Sequence, residues 1–181
     1  MYTKEMTIKM FYVLTCDGAV AYLLVFEEKP KADEFFMETC NAFISEMAND
    51  CDALYSIDEF GFKNENIKKQ FFLKHLDGDW FYIECGQNNI QNGYFVGVFN
   101  GIKNTRIKCF NEEFKAKCYA HLLYKIMLRN GEDIKKECFE LIEDGNYAII
   151  QYLDGTELTM MINKVLTTNK KNYFSFIKEM S

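Results

Sequence analysis

The chain has 181 residues, 49% of them hydrophobic and 27% charged, which excludes a disordered, charge-dominated polymer. At this length one domain buries about 70% of the surface its unfolded chain exposes, so the core needs neither a metal nor a disulfide scaffold. Twenty-one Lys and Arg against 27 Asp and Glu leave a net charge of -6, the wrong sign for a protein that coats nucleic acid by neutralising phosphates.

Asp-Gly, not proline, punctuates the chain: Pro30 is the only proline, and Asp-Gly recurs at 17, 77, 144 and 154. Asp-Gly favours positive φ and the tight turns that join twisted antiparallel strands. Residues 6–15 and 19–27, rich in Val, Leu, Phe and Tyr, therefore read as a hairpin about Asp17-Gly18. A helix is predicted over 32–48, with Phe36, Cys40, Phe43, Ile44 and Met47 on one face and Asp33 and Glu34 near the positive end of its dipole. A shorter helix follows over 64–75, carrying Ile67 and Phe71, and then strands over 80–85, 94–99 and 105–110, with a polar loop over 86–93. Asn111 is a good N-cap for a helix to Asn130, with Glu112 and Glu113 in its first turn, Arg129 near its end and Ala116, Ala120, Leu123 and Met127 as its stripe. Residues 132–143 repeat the helical pattern with Ile134, Cys138, Leu141 and Ile142. A second hairpin joins 147–153 to 156–162 about Asp154-Gly155, and 173–180 fits a short helix or a strand equally. This order lacks the alternation of a parallel sheet and predicts a single α+β domain over residues 1–181, its antiparallel sheet built from hairpins with helices packed on one face.

Seven cysteines, an odd number without a CxxC pair, read as small apolar core fillers in a reducing cytosol. The apolar stretch 10–26 is broken by Asp17-Gly18 into runs too short for a secretory h-region or a membrane span. A cytoplasmic protein without membrane partner is expected.

Candidate chemistry is sparse. His75, Asp77 and Asp79 lie close together but are explained by an element end and an Asp-Gly turn; Cys118 and His121 share a helix face but make only half a zinc site. No glycine-rich phosphate loop or nucleophile motif is present, so no metal and no cofactor are expected. Asp17 followed by Glu27-Glu28-Lys29 resembles the PD-(D/E)xK pattern of metal-dependent nucleases; in that alternative Asp17 and Glu27 hold the metal and Lys29 stabilises charge, acting on guide RNA or DNA.

Charge is unevenly distributed. Residues 1–60 carry -8, residues 61–110 carry +3 and residues 111–181 carry -1. Glu27, Glu28, Asp33, Glu34, Glu38 and Glu46, with Asp50, Asp52, Asp58 and Glu59, are expected to decorate the first helix and its flanking loops, forming a surface complementary to a basic partner. Lys68, Lys69, Lys74, Arg106 and Lys108 form a modest basic patch in the middle third, a candidate for weak nucleic-acid contact.

From Met1-Tyr2-Thr3-Lys4-Glu5-Met6 through a body rich in cysteine, phenylalanine and asparagine, the whole chain resembles a mobile-element protein of a low-GC bacterium. In size, acidity and lack of an enzyme signature it is similar to anti-CRISPR proteins, in particular inhibitors of type II CRISPR effector nucleases. The resemblance implies binding to the effector nuclease or its guide RNA complex, blocking DNA binding or cleavage. It brings no site residues with it. The acidic N-terminal third agrees in sign with such a partner, whose channels are lined with Lys and Arg. A toxin-neutralising immunity protein shares the same acidic logic.

Overall fold

A computed structural model describes residues 8–17, 20–49, 57–65, 68–77, 80–90, 92–100, 104–130, 134–142, 145–153 and 157–180. In chain order the described elements are β1 (Ile8–Cys16), β2 (Ala21–Phe26), α1 (Lys29–Asn49), β3 (Ile57–Glu65), β4 (Lys68–His75), β5 (Trp80–Ile90), β6 (Tyr94–Asn100), β7 (Asn104–Phe110), α2 (Glu113–Asn130), β8 (Ile134–Ile142), β9 (Gly145–Tyr152), β10 (Glu157–Thr167) and α3 (Tyr173–Met180). The Asp-Gly dipeptides at 17, 77 and 154 fall in the chain between consecutive antiparallel strands, whereas Gly145 is itself the first residue of β9, opposite Ile142.

The strands form one sheet in the order β3-β4-β5-β1-β2-β10-β6-β7, with β8 and β9 branching from β10. One edge of β10 pairs with β6, and its other edge takes β9 and then, in parallel, β2 through Val165 to Thr167. The sheet is thus mixed rather than purely hairpin-built, and β10 is the strand that welds the two terminal hairpins together.

Strand alternation sorts the side chains onto two faces. Val13, Leu24, Phe26, Phe71, Leu73, Phe81 and Ile83 point outward against Phe35, Phe36 and Cys40 of α1 and Tyr173 and Phe176 of α3. The same face continues through β10 onto β6, where Val96, Val98, Met160 and Ile162 pack against Ala116, Ala120 and Tyr124 of α2. The helices therefore do share one face, the convex one. The concave face is not solvated: Tyr12, Leu14, Leu23, Val25 and Tyr82 meet Phe95, Phe99 and Met161 in a second core, so the sheet curls over itself. Burial on both faces explains why the central strands read as near-continuous apolar runs. Each large side chain so buried stabilises the fold by about 1.5–3 kcal/mol.

Several expectations are corrected. The helix expected over 64–75 is replaced by the end of β3 at Asn64 and Glu65 and by β4 over 68–75, with Phe71 and Leu73 on the convex face and Phe72 on the concave one, Ile67 lying outside the described residues; a two-sided apolar run suits a buried strand. Residues 132–143 likewise hold β8, paired with β9 from Ile134↔Tyr152 to Ile142↔Gly145; here cross-strand pairing overrides a local helical period. The polar loop expected over 86–93 is mostly strand, because β5 stays paired with β1 as far as Ile8↔Ile90. Gly93 has φ +147, and a Cβ there would approach the Phe110 carbonyl to 2.3 Å. First-turn position Pro30 needs no N–H, so α1 starts at Lys29 and not at residue 32. Asp33 and Glu34 thus sit one turn inside the helix rather than at its positive end.

Residues 173–180 resolve as helix for a local reason. Asn172 Oδ1 accepts from the Ser175 N–H at 3.0 Å, and Ser175 Oγ accepts from the Asn172 N–H at 3.3 Å, a reciprocal cap that fixes the first turn. No described helix is long and apolar enough to cross a membrane. Cys16, Cys40, Cys85, Cys109 and Cys118 are thiols rather than disulfides.

Candidate functional site

The curled sheet separates the residues of the nuclease alternative. Asp17 closes the β1–β2 turn: its N–H donates to the Val20 carbonyl at 3.2 Å, Oδ1 accepts from the Val20 N–H at 3.3 Å, and Oδ2 accepts from the Tyr173 hydroxyl at 2.6 Å. Burial, then the hydrogen bond to Asp17, pushes the Tyr173 hydroxyl above the usual tyrosine range. Glu27 and Lys29 lie beyond the other end of β2, about 20 Å away along a six-residue strand. Lys29 turns instead to Asp33. The three do not meet, and the metal-nuclease constellation is not assembled. Among the described residues no three His, Cys, Asp or Glu side chains converge as metal ligands.

The basic patch is also redistributed. Because 68–75 is a strand, its lysines alternate faces, and each is engaged: Lys68 with Glu84 at 2.8 Å, Lys69 with Asp33 at 2.8 Å and Lys74 with Asp58 at 2.9 Å. Arg106 and Lys108 stand on β7, the opposite end of the strand order. There they line a groove of about 610 Å³ against Tyr119, Leu123 and Met127 of α2, with the Lys108 ammonium 4.3 Å over the Tyr119 ring. The five cations form no common surface.

Asp33 is the hinge of a second cleft, about 490 Å³, where Lys29, Lys68, Lys69 and Cys85 converge at the start of α1. Burial alone pushes the Asp33 carboxyl up, but hydrogen bonds from Lys29 and Lys69 outweigh it and hold the group below the ordinary carboxylate value. A group depressed in the folded state contributes stability above its unfolded pKa and loses it as pH falls through the folded one. Carboxyl NMR titration should therefore place the Asp33 midpoint below that of an ordinary aspartate, and Asp33→Asn should remove that part of the acid-side stability loss. Cys85 donates to Asp33 Oδ1 at 3.7 Å; burial, then the Asp33 charge, pushes its thiol up to about 12. Burial does the same to Cys40, again to about 12. Neither is an activated nucleophile. At pH 8, iodoacetamide should label exposed Cys118 while sparing Cys40 and Cys85 until the chain is unfolded, a contrast that peptide mass mapping reads directly.

The acidic residues of the N-terminal third divide into paired and exposed ones. Asp50 and Asp52 lie outside the described residues. Asp33 and Asp58 are consumed by lysines, and Glu28 pairs with Lys31. Glu27, Glu34, Glu38, Glu46 and Glu59 are exposed, and no described cation lies within ion-pair distance of them. Glu34 and Glu38, one turn apart on α1, project away from the sheet, since the intervening Phe35 and Phe36 are buried against it. Glu46 is two turns further on and rotated away, so the continuous acidic stripe is shorter than the sequence suggests.

One polar constellation went unread in the sequence. Glu84, 1% exposed, lies on the concave face of β5. Its Oε1 accepts from the Tyr12 hydroxyl at 2.5 Å; its Oε2 accepts from the Tyr82 hydroxyl at 2.5 Å, Gln70 Nε2 at 3.0 Å and Lys68 Nζ at 2.8 Å. Gln70 also donates to the Tyr82 oxygen at 2.7 Å. Glycine at 86 makes room, for a Cβ there would come within 2.9 Å of the Tyr12 oxygen. Burial, then the Glu84 charge, raises the Tyr12 hydroxyl well above the tyrosine range. The only sequence signal was one carboxylate inside the apolar run Trp80-Phe81-Tyr82-Ile83-Glu84-Cys85. With four donors satisfying it, this buried knot fastens β1, β4 and β5 together.

Compared with known proteins, the chain matches no protein-family model, no curated protein and no solved structure.

Proposed function

We propose that this protein is a stoichiometric inhibitor, carried by a phage or mobile element, that lays the acidic face of α1 into the cationic nucleic-acid channel of a bacterial CRISPR effector nuclease or its guide complex. The observation that carries the reading is the pairing pattern: the lysines of β4 and the start of α1 are spent inside the fold, while Glu34 and Glu38 stand exposed on α1 with no described cation within ion-pair distance. Held on a helix anchored by Phe35, Phe36 and Cys40, these carboxylates are preorganised, so binding costs little side-chain or backbone ordering. A channel that binds a phosphate backbone presents matching cations, and opposite fields accelerate encounter.

The test is direct. A guide-loaded type II effector is incubated with this protein, and binding of labelled target DNA is measured alongside the integrity of the guide RNA with magnesium or manganese present. Loss of DNA binding or cleavage with intact guide RNA supports the proposal. Guide fragments that vanish in Glu27→Ala would establish the nuclease alternative instead, and no association with any guide-loaded effector would refute the proposal.

A further inference from the structure

The other asymmetry of the surface is the free edge of the sheet. β3 pairs along one side with β4, from Ile57↔His75 to Glu65↔Lys68, and no described strand occupies its other side. An edge strand presents a row of outward N–H and C=O groups, which proteins normally blunt with proline, charged side chains, a bulge, a short strand or a cover; β3 has charged residues and an irregularity between Ile57 and Glu59. Here the strand has no proline, and its convex face carries Phe60 at 67% and Phe62 at 50% exposure. The apolar surface continues onto α1. Phe36 meets Phe62 at 5.8 Å and Asp33 reaches Lys69, so this flank of α1 faces β3 and β4. Met37 and Ile44, both exposed, recur at helical spacing from Asp33 on that flank. Exposed aliphatic and aromatic groups gathered beside an open edge mark an interaction surface.

The sequence of β3 selects its occupant. A two-fold axis perpendicular to the sheet pairs residues on the same face, so the two numbers of each pair must add to an even total. An axis through Gly61 centres the pairing on the regular stretch Glu59–Lys63, clear of the irregularity between Ile57 and Glu59. It sets Glu59 opposite Lys63 twice and Phe60 opposite Phe62 twice. Moving the axis to Phe62 sets Glu59 against Glu65; axes at Glu59 or Lys63 set like charges face to face. Opposite charges and aromatic pairs directly across antiparallel strands are favourable, and like charges are not. We infer that β3 pairs with β3 of a second copy of this chain, centred on Gly61, joining two sheets edge to edge in a symmetric dimer. The inference is independent of the acidic face of α1, whose Glu34 and Glu38 stand away from this edge.

Analytical ultracentrifugation over a dilution series tests it with the full chain. Wild-type protein is expected to move from twice the 21.3 kDa chain mass toward monomer on dilution. Lys63→Glu places Glu59 opposite a glutamate, and Glu59→Lys places Lys63 opposite a lysine. Each alone should weaken self-association about tenfold to a hundredfold, with circular dichroism confirming an unchanged fold. Mixed in equal amounts, the two variants place lysine against glutamate at both pairs, so they should associate as a heterodimer at concentrations where each alone is monomeric. A wild type that stays monomeric throughout, or variants that dimerise alone as well as wild type, would overturn the inference. So would a mixture that fails to associate.

Discussion

Glu84→Ala is expected to be the most destabilising single substitution among the polar residues, lowering stability by about 3–5 kcal/mol, since several donors lose their acceptor together at about 1–3 kcal/mol each. For a chain of this size that is a fall in melting temperature of roughly 10 °C or more. Removing the carboxylate strands the hydroxyls of Tyr12 and Tyr82 and the Gln70 amide on the concave face, while Lys68, 31% exposed, keeps its access to water. Each unsatisfied donor then bears its own desolvation cost. Replacing the network as a unit reverses the logic. With Glu84→Leu, Tyr12→Phe, Tyr82→Phe, Gln70→Leu and Lys68→Met together, neither a charge nor an unpaired donor of the network is left buried, and stability should return to near the wild-type value, since apolar replacement of a buried ion pair is often neutral or stabilising. Thermal unfolding followed by circular dichroism separates the two outcomes. A single Glu84→Ala variant melting within a degree or two of wild type would show that the network contributes nothing.

The second large effect concerns α1. Reversing Glu34 and Glu38 to lysine is expected to weaken inhibition by about a hundredfold or more, because each reversal exchanges attraction for repulsion against a cationic channel. Neither side chain has a described intramolecular ionic partner, and both are exposed, so folding should be unchanged. Affinity of the wild type should also fall with added salt, as expected of contact between oppositely charged surfaces. Reversal of Glu46, rotated away from this stripe, should matter less. Equal inhibition by the doubly reversed variant would move the contact surface elsewhere.

The hairpins were legible because Asp-Gly turns and adjacent apolar strands act locally: both terminal hairpins and the α+β character were readable from residues 6–27 and 147–162. The two long helices were legible for the same reason, since Phe36 and Cys40, and Ala116 and Ala120, recur at helical spacing and are buried at it. β4 and β8 were misread because their local pattern fits a helix, and only pairing with distant partners decides otherwise. The parallel β2–β10 contact, joining Leu23 to Val165, was invisible for that reason too.

The site was less legible than the fold. Charge counting located the acidic third but could not see that Asp33 and Asp58 are internally neutralised. It also grouped Lys68, Lys69 and Lys74 with Arg106 and Lys108 in one patch, whereas a strand divides the three lysines between two faces and Arg106 and Lys108 stand on β7. Asp17, Glu27 and Lys29 looked close because a hairpin connects them, yet the length of β2 keeps them apart. The Glu84 network required knowing that β1, β4 and β5 are neighbours. Its tyrosines belong to apolar runs and gave no separate signal.

The central claim is that this protein acts by occupying a cationic nucleic-acid channel, one molecule per nuclease. Titrating it into a fixed amount of guide-loaded type II effector, with target DNA cleavage as readout, measures that directly. Cleavage should stop when the two proteins are equimolar, counted per chain, and should be restored when Glu34 and Glu38 are both lysine. Complete inhibition at a small fraction of the nuclease concentration would mean catalytic inactivation, and undiminished cleavage at large excess would mean no such partner; either result contradicts the claim.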